Sequence, residues 1–125
     1  MFRVNEQAVV YIVDEDPAVY ESLRKLDAPV RWFRNGEPLL QWFEAAGEAS
    51  GGVIVVEARL GDSDGVELIE RLRRRGSRLP VIVICRDADV ATAVRAMQSG
   101  AADFFARPLL AGVLLRRARA LMSSL

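Results

Sequence analysis

The chain has 125 residues, 51% hydrophobic and 27% charged, with 17 basic and 17 acidic side chains, one cysteine and no histidine. That size fits one domain with its own core, and a formal charge of zero gives no general attraction to nucleic acid or anionic lipid. A lone cysteine excludes an internal disulfide and suits a reducing compartment, so a cytoplasmic location is expected. The lack of histidine removes the commonest general base and transition-metal ligand, which weighs against an enzyme.

Met1 to Gln7 lack the apolar core of a signal peptide, and no apolar run approaches the roughly 20 residues that a membrane span needs. Val9 to Val13 read as a strand that ends in Asp14-Glu15-Asp16. Pro17 to Lys25 follow as a helix with proline in its first turn, burying Val19, Leu23 and Leu26. Val30 to Phe33 form a short edge strand, and Pro38 to Ala46 a helix carrying Leu39, Leu40, Trp42 and Phe43. Val53 to Val56 run into Glu57, and a helix over Glu67 to Arg75 aligns Val66, Ile69 and Leu72 until Gly76 stops it. Val81 to Ile84 precede Cys85. A helix over Val90 to Ser99, capped by Asp89, repeats the buried pattern with Val90, Val94 and Met97. Phe104 to Ala106 precede Arg107, and Leu109 to Met122 form a last helix with Leu110, Leu114, Ala118 and Leu121 as its buried stripe. The final residues, from Met122 to Leu125, are expected to fray.

Runs that are apolar on both faces are the pattern of buried parallel strands, and their alternation with helices predicts a single doubly wound α/β domain. Strand ends in such a sheet meet at one crevice. Asp14, Glu57, Cys85 and Arg107 are therefore expected to converge.

Val10 to Pro17 resemble the first strand and acidic pair of bacterial response-regulator receiver domains, and Glu57 to Gly65 resemble their phosphorylation loop. Leu79 to Cys85, Asp89-Val90 and Ala93 to Phe104 are similar to the FixJ-type branch, whose receivers usually precede a helix-turn-helix DNA-binding domain. The likeness spans nearly the whole chain and runs about one helical turn short around Leu26 to Val30. It implies the flavodoxin-like (CheY-like) fold, a five-stranded parallel sheet of order 2-1-3-4-5 with five helices. It also implies an output domain, of helix-turn-helix type, beyond residues 1–125.

The family transfers a phosphoryl group from a histidine kinase to an aspartate, assisted by Mg²⁺. The resemblance places Glu57 at that acceptor. Its extra methylene displaces the carboxylate, and an error of about 1 Å costs about 10²-fold in rate. Two readings stand side by side: a tolerated isostere, and an incomplete mimic of phosphoaspartate that lacks its second charge and third oxygen. Asp14 and Glu15 match the metal-holding acidic pair, with Asp16 just beyond; weak Mg²⁺ binding and a solvated acidic end paired with arginine both remain open. Arg107 replaces the lysine that contacts the phosphoryl group, and is expected to pair with Glu57 or Asp14, across a cis bond to Pro108. Cys85 replaces the switch hydroxyl, either as an inert buried thiol or as one activated by Arg86 and Arg107. Phe104 matches the family's rotating switch aromatic and equally suits a plain core position. Gly61 in place of a usual proline implies a looser loop. The arginines at 71, 73, 74, 75 and 78 read as a solvated helix face.

Acceptor, hydroxyl and lysine have all changed, so the expected function is that of an atypical, non-enzymatic receiver of a transcription regulator. It would act without phosphorylation, cofactor or direct nucleic-acid binding, through contact with a protein partner or a second copy across residues 90–97 and 104–115. The alternatives are a Mg²⁺-dependent phosphoacceptor using Glu57 or a neighbouring acid, and a redox sensor at Cys85.

Overall fold

The computed structural model describes residues 8–61, 63–87, 89–110 and 112–123. Residues 1–7 lie outside them, as do Ser124 and Leu125 of the stretch expected to fray, whereas Met122 and Ser123 of that stretch belong to the last helix. Asp62 in the loop after Glu57 and Ala111 within the 104–115 surface also lie outside the described residues.

The elements run in order β1 (Ala8–Val13), α1 (Pro17–Leu23), β2 (Val30–Phe33), α2 (Gly36–Ala46), β3 (Gly51–Glu57), β4 (Arg59–Leu60), β5 (Ser63–Asp64), α3 (Gly65–Arg74), β6 (Val81–Cys85), α4 (Val90–Gln98), β7 (Asp103–Ala106) and α5 (Val113–Ser123). Five strands make one sheet of order β2-β1-β3-β6-β7, every pair parallel. This is the expected order 2-1-3-4-5 once the two-rung antiparallel hairpin β4–β5 is set apart.

Side chains alternate along each central strand and so feed two cores. Tyr11, Val13, Ile54, Val56, Val81 and Val83 pack under α2, α3 and α4, whereas Val10, Ile12, Val53, Val55, Ile82 and Ile84 pack under α1 and α5. Burial on both faces is why these strands carry no charged side chain before Glu57, the last residue of β3.

The helix signals act as read at α1, where Asp16 caps Ala18 N–H and Pro17 opens the first turn, and at α3, which ends before Gly76 at φ +93°. Two assignments need correction. In α4 the stripe Val90, Val94 and Met97 faces outward, at 80, 47 and 49% exposure, while Thr92 and Ala96 are buried. Both faces of this helix have helical spacing, and the small side chains win the sheet because they permit close approach. Leu110 is likewise 73% exposed and precedes α5, which begins at Val113 rather than Leu109. The connection after the cis Arg107–Pro108 bond uses those residues.

The arginine-rich end of α3 serves local ties. Arg73 donates to the carbonyls of Ser77, Leu79 and Gly100, Arg71 pairs with Glu37, and Arg75 pairs with Glu44. At the β2 edge, Trp32 stacks on Tyr20, the Arg31 guanidinium lies 4.1 Å from the Trp42 ring centroid, and Arg34 lies 5.8 Å from that of Trp32.

Candidate functional site

The carboxyl ends of β1, β3 and β7 deliver Asp14, Glu57 and Arg107 to one point. Asp14 follows β1, whose register beside β2 is held by Asp14 N–H donating to Phe33 O at 3.0 Å. Its own carbonyl accepts from Trp32 Nε1 at 2.7 Å, so the edge strand fixes the acid's backbone from both sides. Glu57 ends β3 against the close-packed start of α3, where Gly65 N–H donates to Ala58 O at 2.8 Å. Arg107 is anchored by its N–H to Cys85 O at 2.9 Å.

The guanidinium gives each nitrogen a different carboxylate. Nη2 donates to Asp14 Oδ2 at 2.6 Å, Nε to Glu57 Oε1 at 3.1 Å, and Nη1 to Asp16 Oδ2 at 3.4 Å. The first two are interior contacts: side-chain exposure is 14% for Arg107, 2% for Asp14 and 1% for Glu57. The remaining oxygens are also engaged. Asp14 Oδ1 accepts from Asp16 N–H, Asp16 Oδ1 from Ala18 N–H, and Glu57 Oε2 from Arg59 N–H. Such a fork of charge-assisted bonds is a geometry that lysine's point charge does not reproduce.

Burial pushes the Asp14 carboxyl up from its ordinary 3.8, and the Glu57 and Asp16 carboxylates push the same way against the Asp16 N–H and Arg107. At Asp64 partial burial is outweighed by Arg95 and by the N–H groups of Val66 and Glu67, which hold it below 3.8. The two acids therefore act on stability with opposite sign. Asp64 contributes above about pH 3.8 and loses that as the pH falls through its lowered value, whereas ionised Asp14 costs stability that returns as the pH falls through its raised value toward 3.8. A carbon-detected NMR titration is expected to place the Asp14 midpoint above 3.8 and the Asp64 midpoint below it. In Arg107→Ala the Asp14 midpoint rises further.

Mg²⁺ binds six oxygens at about 2.1 Å in a near-octahedral shell. Here the acidic oxygens face a guanidinium and backbone N–H groups, and among the described residues no three acidic, Cys or His side chains are gathered to hold a metal ion. The donor set as it stands does not fit the Mg²⁺ that the sequence resemblance implies. Glu15 is exposed, its Oε2 lying 3.4 Å from where a Cβ on Gly61 would sit.

Cys85 is fully buried and its thiol donates to Asp87 O at 3.1 Å, within its own loop. Phe104, on the neighbouring strand, packs half-buried against the core under α2–α4. Trp32 is a contributor that the sequence does not single out, and Asp16, read only as an acid just beyond the metal-holding pair, takes a definite place. Asp16 both caps α1 and faces Arg107; its signal is the Asp-Pro pair at a helix start. Trp32 touches the site only through tertiary structure, which no local signal announces.

A profile of the response regulator receiver domain matches residues 10–119. The chain belongs to the response-regulator receiver family. The transcriptional regulatory protein FixJ of Azorhizobium caulinodans is 37% identical to this receiver domain over 109 residues, 82% of the chain and 49% of FixJ. The response regulator protein TmoT of Ectopseudomonas mendocina is 31% identical over 108 residues, 83% of the chain and 48% of TmoT. The receiver domain thus spans about half the length of these relatives. Among solved structures, a response regulator receiver protein from Pseudoalteromonas atlantica superposes with TM-score 0.81 at 32% identity, covering 90% of this chain and 95% of that one. The FixJ N-terminal domain superposes with TM-score 0.78 at 30% identity, covering 94% and 95%.

Proposed function

We propose that this receiver domain signals by protein contact without accepting a phosphoryl group, as the regulatory half of a cytoplasmic transcription regulator with a fused DNA-binding domain. The observation that carries the reading is Glu57, the residue at the acceptor position, both of whose oxygens are already bonded. A nucleophile must present a free lone pair in line with the transferring phosphorus. Glu57 instead holds Arg107 and its own loop, one methylene beyond where aspartate's carboxylate would stand. The thiol at position 85 bonds a backbone carbonyl of its own loop, which suits a domain with no phosphoryl group to sense.

Contact with a partner or a second copy is assigned to residues 90–97 and 104–115. Support comes from Val90, Val94, Met97 and Leu110, large apolar side chains left in solvent.

The test is intact-mass measurement after incubation with acetyl phosphate and Mg²⁺, beside the double variant Glu57→Asp/Arg107→Lys. The natural chain is expected to show no added phosphoryl mass and no change in Trp32 emission with beryllofluoride, while the variant gains both. Labelling of the natural chain would overturn the proposal in favour of the phosphoacceptor reading.

A further inference from the structure

We infer that Arg107 is a chain-borne counter-ion that stands in for a divalent cation, and that its removal converts the crevice into a cation site. The inference rests on the phosphoryl-independent reading above and adds what keeps such a crevice stable.

Three carboxylates from two strand ends and a helix cap meet at one guanidinium, with N–O distances of 2.6, 3.1 and 3.4 Å. Two of them are almost fully buried. Buried carboxylates persist only where a cation compensates them. A bound metal supplies that compensation in proportion to its concentration. A guanidinium does not: it is protonated at every accessible pH and, being covalently attached, it is never diluted. With it present the three side chains and Arg107 sum to −2, and without it to −3, all oxygen donors of the hard kind that Mg²⁺, Ca²⁺ and Mn²⁺ prefer. The guanidinium occupies the point where the three acids meet, so a spherical ion and the guanidinium exclude each other.

The experiment is a thermal melt of the full chain and of Arg107→Ala, titrated separately with the chlorides of Mg²⁺, Ca²⁺ and Mn²⁺. Trp32 emission is followed in parallel, because its indole bonds Asp14 O. The melting temperature of Arg107→Ala is expected to rise saturably with at least one cation. The affinity should be at least tenfold above any shown by the natural chain, and adding Asp14→Asn should abolish the gain. A variant that folds only when the cation is added supports the same conclusion. If Arg107→Ala folds in neither condition, Arg107→Gln is judged by the same criterion. A folded Arg107 variant that responds to none of the three cations overturns the inference, as does a natural chain that responds as strongly as the variant. Phosphoryl uptake by the natural chain bears on the reading above alone, so the two failures are distinguishable.

Discussion

Arg107→Met is expected to lower the stability of the domain by about 3–5 kcal/mol in metal-free buffer, the range for breaking a buried ion pair by deleting one partner. The methionine keeps most of the apolar stem and none of the charge, leaving Asp14 and Glu57 buried with no cation. Domains of this kind are stable by only about 5–15 kcal/mol in all, so the loss would be plain as a shifted urea midpoint at an unchanged slope. The exposed pair Arg24–Glu21, at 3.3 Å, makes the natural control. Breaking it by Arg24→Ala should cost no more than about 1 kcal/mol. Neutralising the acids as well, in Arg107→Met/Asp14→Asn/Glu57→Gln, should recover much of the difference, since the harm lies in uncompensated charge. A loss below about 1 kcal/mol for Arg107→Met would mean that the crevice is wetter and less demanding than its burial implies.

Gly65→Ala is expected to be as damaging through packing alone. A Cβ at this position would lie 2.1 Å from Glu57 O and 3.0 Å from Glu57 C and Val56 Cγ2. Two of those three atoms are backbone at the end of a central strand, so no rotamer change relieves the contact. Either α3 retreats or the strand end carrying Glu57 is displaced, and the cost should reach or exceed about 3 kcal/mol, the upper end of ordinary core overpacking. Gly47→Ala offers a contrast. Nothing lies within 4 Å of its Cβ, and its backbone, at φ +80° and ψ 166° in a region almost confined to glycine, alone sets the penalty, about 1–3 kcal/mol. Urea melts of the two variants check the order, and Gly65→Ala within about 1 kcal/mol of the natural chain would refute the argument.

The sheet was legible because its central strands are apolar on both faces, a pattern that only a doubly covered parallel sheet explains. The convergence of Asp14, Glu57 and Arg107 followed from the rule that such strands open into one crevice. What escaped was decided by more than local pattern. Residues 90–98 carry apolar side chains on two helical faces, and only the distance to the sheet shows that Ala96 lies inside and Val94 outside. Leu109 and Leu110 extend the spacing of α5 backwards, yet the turn after Pro108 claims them. The hairpin Arg59–Leu60 with Ser63–Asp64 is too short to show periodicity. That Asp16 serves both as the cap of α1 and as the third carboxylate on Arg107 depends on tertiary placement, and the Trp32 bond joins residues 18 apart.

The outer strand β2 has a consequence for how copies of this chain can meet. A free strand edge is a template for adding another strand. Here that edge is only four residues long, and exposed Arg31 and Arg34 have their guanidiniums drawn over the rings of Trp42 and Trp32. A second sheet approaching this rim would have to desolvate two cations and lift them from their aromatic seats before its first backbone bond formed. The rim thus discourages growth of the sheet at its β2 edge.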